Sequence, residues 1–253
     1  MNTLQQKSFK ILLLGDGCID EYRYGTVDRI SPEAPVPVFS ERSSTSKPGM
    51  VRNVYENLIN LGCDVVMVTG NQDSRKIRYV DIRSNYQMLR VDHDVFSSPI
   101  SIDQVDLSCD AIVISDYSKG SITRELIDAV VKTGKPIFVD TKCPDLKIFQ
   151  GCVVKINLEE YNKRISYCDN LIVTRGHQSV NHFNGSEANY YDVKKIEAFD
   201  VCGAGDTFLA ALTVRYLETL DIKSAINFAI KAAGITIKHT GVYAPTRGEI
   251  DEI

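Results

Sequence analysis

Apolar positions along this chain fall into two alternating patterns. Short, nearly unbroken apolar runs at 9–15, 64–69, 110–115, 136–140, 153–157 and 171–174 read as strands buried on both faces. Stretches at 51–61, 123–132, 204–218 and 222–238 carry apolar residues every third or fourth position and predict helices, the last two closing the chain. Strand and helix in alternation require crossover connections, hence a mostly parallel sheet with helices on both faces. Residues 22–40 break the rhythm. Gly25, Pro32, Pro35 and Pro37 interrupt short alternating segments there, which suits a small β-flap off the main sheet, with 75–92 supplying the rest. No linker or repeat divides the chain, so residues 1–253 are read as one α/β domain carrying a β-lid.

Ligands of open parallel sheets gather beyond the C-terminal strand ends. In this reading Gly15, Asp16, Asp116, Asp140, Asn157, Thr174 and Arg175 all occupy such ends. The most informative stretch comes later, at Asp200-Val201-Cys202-Gly203-Ala204-Gly205-Asp206-Thr207-Phe208. Gly203 and Gly205 at a helix entrance let the backbone approach a ligand. The free amides and the helix dipole there favour a phosphate or a developing negative charge. Asp206 lies in that first turn. It suits a base taking a proton from a hydroxyl that attacks phosphorus, or equally a carboxylate favouring a helix N-terminus.

This segment resembles the signature of the ribokinase-like (PfkB) sugar kinases. Arg29-Ile30-Ser31-Pro32-Glu33-Ala34-Pro35-Val36-Pro37-Val38 is similar to a run in the bacterial heptose 7-phosphate kinases, as are Asn85-Tyr86-Gln87-Met88-Leu89-Arg90-Val91-Asp92 and Ser115-Asp116-Tyr117-Ser118-Lys119-Gly120. The resemblance runs in order from about residue 10 to the C-terminus. It implies a ribokinase-like three-layer sandwich: a mostly parallel central sheet, helices on both faces and a small β-lid. It also implies ATP and Mg²⁺, with transfer of the γ-phosphoryl group to a hydroxyl of a sugar or sugar phosphate. D-glycero-D-manno-heptose 7-phosphate, phosphorylated at the anomeric position, is the first choice of acceptor.

The resemblance assigns roles to particular residues. Asp206 is the base, and Gly203, Ala204 and Gly205 form the anion cradle. Asp20, Gly49 and Asn53 match the sugar-binding positions, with Arg52 beside them, and Lys76 and Arg78 match a K-x-R pair that meets the substrate's phosphate. Asn157, Thr174, Arg175, Gly176, Gly203 and Gly205 match the nucleotide site, with Glu160 holding Mg²⁺ through water. Residues 229–241 match the adenine site. A homodimer through the β-lid is implied too. Several departures stand out. Met50 occupies the place of a glycine and Arg52 that of a small residue. A helix and strand are missing after Gly70, and a helical insertion after Glu160. Lost helices expose apolar surface, so a homo-oligomer or a rearranged sheet edge is expected. The adenylyltransferase half of the bifunctional relatives is expected to be absent. These departures motivate an alternative, a catalytically weak or inactive relative that binds sugar and nucleotide.

Composition narrows the field without naming a chemistry. A net charge of −4 supplies no basic footprint for nucleic acid, and no apolar run has the length of a membrane span. Residues 1–8 are polar, without a signal-peptide pattern, and read as a frayed tail. The seven cysteines include no C-x-x-C pair, which favours reduced thiols and a cytoplasmic location. Cys202 is a space-filling residue or a reactive thiol, and His177 and His182 are expected on the surface of a strand pair. A dinucleotide-binding reading of Gly15-Asp16-Gly17-x-x-Asp20 fails at the third position, where Asp prevents close helix packing. No G-x-x-x-x-G-K-[ST] sequence occurs, which removes a P-loop.

Overall fold

The computed structural model describes residues 8–252; residues 1–7 of the polar tail lie outside the described residues. The chain opens with β1 (Lys10–Gly15) and then leaves the main sheet for a long hairpin, β2 (Gly17–Ile30) and β3 (Pro37–Met50). It returns through α1 (Val51–Asn60) and β4 (Asp64–Thr69), and leaves again for β5 (Ser74–Asp81) and β6 (Gln87–His93). Next come β7 (Ala111–Asp116), α2 (Arg124–Val131), β8 (Ile137–Thr141), β9 (Val153–Asn157), α3 (Leu158–Lys163) and β10 (Asn170–Thr174). An antiparallel pair, β11 (Ser179–Asn184) and β12 (Glu187–Asp192), precedes α4 (Ala204–Thr219), α5 (Ile222–Thr236) and a short helix not expected from the sequence, α6 (Arg247–Asp251).

Eight strands form one sheet in the order β12-β11-β10-β9-β8-β7-β1-β4, every pairing parallel except the two that β11 makes, with β10 and β12. Strand side chains alternate between two buried faces, which is why the runs are nearly unbroken in apolar residues. Ile11, Leu13, Val113, Phe138 and Ile172 pack with α1, α4 and α5. Leu12, Leu14, Ile112, Val139 and Val154 pack on the other face, with α2 and the 3₁₀ turn Leu146–Phe149. Each such fully buried side chain contributes about 1.5–3 kcal/mol. α1 turns Val51, Val54 and Leu58 inward at helical spacing, and Asp221 caps α5 by accepting the amides of Lys223 and Ser224.

A second sheet, in the order β3-β2-β5-β6, forms the lid. It contains residues of both segments, 22–40 and 75–92, and reaches further, from Gly17 to Met50. Because this hairpin leaves at the C-terminal end of β1 and re-enters at α1, it hangs over the strand ends where ligands collect.

Three local outcomes bear on the expectations. His182 is not a surface residue: it is 2% exposed, and its Nε2 lies 2.8 Å from Asn170 Oδ1. The sheet face it occupies is covered where a free hairpin would leave it open. His177 sits exposed in the β10–β11 turn. Only residues 70–73 join β4 to β5, so β4 is a bare edge of the main sheet with Val66 exposed. Where the helical insertion is missing, Arg164 lies between the rings of Tyr161 and Tyr167, leaving Ile165 and Tyr167 exposed.

Candidate active site

The entrance of α4 carries the site. Gly203 caps the helix at φ 79°, and a Cβ there would lie 2.7 Å from Asn53 Nδ2, so both conformation and space demand glycine. By helix geometry the first-turn amides lack intrahelical acceptors, and that of Ala204 turns back to the Val201 carbonyl at 3.3 Å. Asp206, three residues after the cap, is buried. Asn53 Nδ2 donates to its Oδ2 at 2.7 Å, and the Tyr117 hydroxyl donates to Oδ1 at 3.4 Å. Burial pushes its pKa up to about 6, against the hydrogen bond from Asn53, which pulls it down. A carboxylate poised there is a competent base near neutral pH.

Below the helix entrance lies a cavity of about 120 Å³, lined by Asp116, Tyr117, Asp140, Lys142, Lys155, Asn157, Glu160, Gly203, Gly205 and Asp206. Its floor is made by the ends of β7, β8 and β9, as parallel strands in register require. Asp140 meets the buried ammonium of Lys155 at 2.6 Å. Asp116 accepts from Thr141 Oγ1 at 2.6 Å and from the Ser118 amide, and burial pushes its pKa up to about 6 as well. The Tyr117 ring lies 5.0 Å from Lys142 Nζ and 5.5 Å from Lys76 Nζ. Asp16 is a loop organiser: its carboxylate accepts the amides of Tyr117, Lys119 and Ser121.

Asn157 and Glu160 form a capping box that starts α3. The Asn157 side chain accepts the Glu160 amide at 2.9 Å, and Glu160 Oε2 accepts the Asn157 amide at 2.8 Å. Glu160 Oε1 pairs with Lys142 at 2.7 Å. Among the described residues, no group of three or more acidic, His or Cys side chains is arranged to cage a metal. A cation that takes most of its ligands from phosphates and water suits such a site, with Glu160 at its margin.

No lid residue lines this cavity; the lid approaches it at Tyr117, whose ring lies near Lys76. Asp20 is buried on β2 and paired with Arg78, while Lys47 and Lys76 flank it in register on β3 and β5. A Cβ on Gly49 would lie 2.2 Å from Asp20 Oδ2, so glycine is required for that carboxylate to sit there. Met50 is held at φ 54° and ψ −128°, a region open essentially to glycine alone. Arg52 turns to Asp73 at 2.8 Å and away from the cavity lining.

Thr174, Arg175 and Gly176 lie outside the cavity lining, at the β10–β11 turn. Arg175 makes backbone bonds with Ser179 and Gln178, and its Nε is buried without a partner. In the segment 229–241 the Gly241 amide is tied to Asp200, whose other oxygen accepts the Cys202 amide. Burial raises the Cys202 pKa, so it is a thiol and not a reactive thiolate. Lys155, Lys142 and Tyr117 were absent from the sequence-derived set of site residues. The signal for Lys155 was a single cation inside the apolar strand Val153–Asn157.

Residues 101–247 match the family described as pfkB family carbohydrate kinase. The chain is 30% identical to the bifunctional protein HldE of Nitratiruptor sp., covering 96% of this chain and 64% of that longer protein. It is 28% identical to the D-beta-D-heptose 7-phosphate kinase of Bordetella bronchiseptica, covering 95% of each. In shape it is similar to the Arabidopsis thaliana ribokinase solved with ribose and ATP (TM-score 0.76, 15% identity, 97% and 98% of the two chains). The phosphofructokinase-2 of Escherichia coli gives a TM-score of 0.75 at 16% identity, over 97% and 98% of the chains. The fold is ribokinase-like. Among the described residues, no helix is long and apolar enough to cross a membrane.

Proposed function

The chain belongs to the pfkB family of carbohydrate kinases, phosphotransferases with an alcohol acceptor, and on that premise we propose that it transfers the γ-phosphoryl group of ATP to a hydroxyl of a phosphorylated sugar. The first choice of acceptor is D-glycero-D-manno-heptose 7-phosphate, at the anomeric hydroxyl. The observation that carries this reading is the buried Asp206, its pKa pushed up to about 6, in the first turn of α4 behind the Gly203–Ala204–Gly205 cradle.

The acceptor hydroxyl attacks the γ-phosphorus in line and gives its proton to Asp206. The cradle amides meet the charge that develops on the transferred group. Asp20 and Asn53 hold sugar hydroxyls. Lys47, Lys76 and Arg78 on the lid outnumber Asp20 in charge, which supports an anionic acceptor, and the name of the Bordetella relative supports heptose 7-phosphate. Asn157 and the α4 entrance face the nucleotide phosphates, with Thr174, Arg175 and Gly176 further out along them. Mg²⁺, held by those phosphates and by water on Glu160, supplies charge neutralisation when bound. The exposed Ile30, Val36, Ile82, Tyr86 and Leu89 of the lid support a dimer through this sheet.

The test is Mg²⁺-dependent ADP release with heptose 7-phosphate beside unphosphorylated heptose, other sugar phosphates and nucleosides. Release is expected with the phosphorylated heptose, and Asp206→Asn is expected to lower kcat by about 10²–10⁴-fold. Near-normal turnover by Asp206→Asn, or no release with any acceptor, would sink the reading.

A further inference from the structure

Of the charged groups in the cavity that have no part in the scheme above, Lys155 is the most deeply buried cation. The Lys155 side chain is 4% exposed, on a strand whose other inward positions are apolar. Its ammonium is 2.6 Å from Asp140 Oδ2 and reaches up against the helix entrance: a Cβ on Gly205 would lie 2.7 Å from Lys155 Nζ. The backbone of Gly205 is not in the left-handed region, and the ammonium ends in the space that a side chain at this position would take. Arg175, a cation expected at the nucleotide site, is not in the cavity lining.

We infer that Lys155 is a catalytic residue whose ammonium binds an oxygen of the γ-phosphoryl group during transfer, and that Asp140 holds it in place. This rests on the kinase reading of the same site. In the step, the acceptor oxygen bonds to the γ-phosphorus while the bond from that phosphorus to the β–γ bridging oxygen breaks. The electron pair leaves on the β-phosphate of ADP, and the hydroxyl proton goes to Asp206. Negative charge on the passing phosphoryl oxygens then meets the α4 amides and, beside them, the Lys155 ammonium. A donor fixed before the reaction loses nothing to reorganisation, and this one stands where water is largely excluded. An ammonium has three donors, and Asp140 occupies one.

A mere counter-ion for Asp140 would give the same static picture, and a charge-balanced double variant separates the two. Lys155→Met with Asp140→Asn removes both charges and leaves no unpaired ion in the interior. If Lys155 meets the phosphoryl group, the double variant melts near the wild-type temperature and kcat falls about 10²–10³-fold, with the acceptor KM little changed. A kcat within threefold of wild type overturns the inference. Asp206→Asn run in parallel separates the two failures. Normal turnover there sinks the kinase reading, whereas a dead Asp206→Asn beside a normal double variant sinks only the role of Lys155. A second measurement uses wild-type protein with ¹⁵N-labelled lysine, titrated with Mg²⁺, ADP and aluminium fluoride as a mimic of the transferred group. The slowly exchanging Lys155 Nζ signal, assigned by its loss in Lys155→Met, is expected to shift with the mimic and not with ADP alone. An unmoved signal also overturns the inference.

Discussion

The floor of the cavity and the lid above it hold charge in different ways. On the floor, Lys155, Asp116 and Asp206 are buried and Asp140 is mostly so, and each is fixed by partners that the strand ends and α4 place in register. On the lid, Arg23, Arg75, Arg83 and Arg90 pair with carboxylates while standing half in water. Buried ions cost several kcal/mol each to desolvate, and removing one partner strands the other. Exposed pairs contribute little and exchange partners readily. The floor is therefore set before any ligand arrives, at a cost in stability, whereas the lid, its buried Asp20–Arg78 pair aside, carries charges free to turn to an anion when one enters.

The largest test of this contrast is Lys155→Met alone. It leaves Asp140 buried without its cation, and a loss of about 3–5 kcal/mol in denaturant unfolding is expected. Arg83→Ala on the lid should leave the melting temperature unchanged, and equal effects at the two sites would erase the distinction.

Acid should act on the two regions with opposite sign. Asp206 and Asp116 have native pKa values of about 6, above their unfolded values. Their protonated forms favour the native state, so the stability they contribute is full below about pH 4 and lost as pH rises through 6. Asp28 and Asp81 on the lid are lowered by hydrogen bonds from Thr26 and Ser84, so their contribution is present above the unfolded value and lost as pH falls through the native one. With Asp206 as the proposed base, turnover should fall about tenfold per pH unit below 6. Denaturant melts and a pH–rate profile from 4 to 8 read both, and in Asp206→Asn the floor's share of the stability slope should shrink.

The smallest effect lies at the seam between the two regions. Met50→Ala and Met50→Gly both delete the buried side chain, but only glycine relaxes at φ 54°. Met50→Gly should therefore remain about 1–3 kcal/mol more stable than Met50→Ala, the reverse of the usual order. Alanine equal to or better than glycine would show that the backbone there is unstrained.

Most of the sheet was legible because burial on both faces writes one pattern: the runs at 64–69 and 153–157 became β4 and β9 without change of bounds. The α4 entrance was legible because Gly203 answers to a backbone angle. What stayed hidden depends on contacts between distant segments. Lys155 reads as one polar interruption until β8 brings Asp140 beside it. Asn157 and Glu160 show a spacing that serves a helix cap and a phosphate site equally well. His182 reads as a polar position of a hairpin until β10 brings Asn170 against its ring. Nothing local distinguishes Arg52 facing Asp73 from Arg52 facing a ligand.

Met50 also imposes a requirement of handedness. Its torsions, φ 54° and ψ −128°, mirror those of an ordinary extended residue at about −54° and +128°. A chain made by chemical ligation with D-methionine at position 50 would hold the same backbone path in a relaxed conformation, and its side chain would leave the pocket it now fills. The join between lid and helix is thus a place where the enantiomer of the natural residue fits the main chain better than the residue itself.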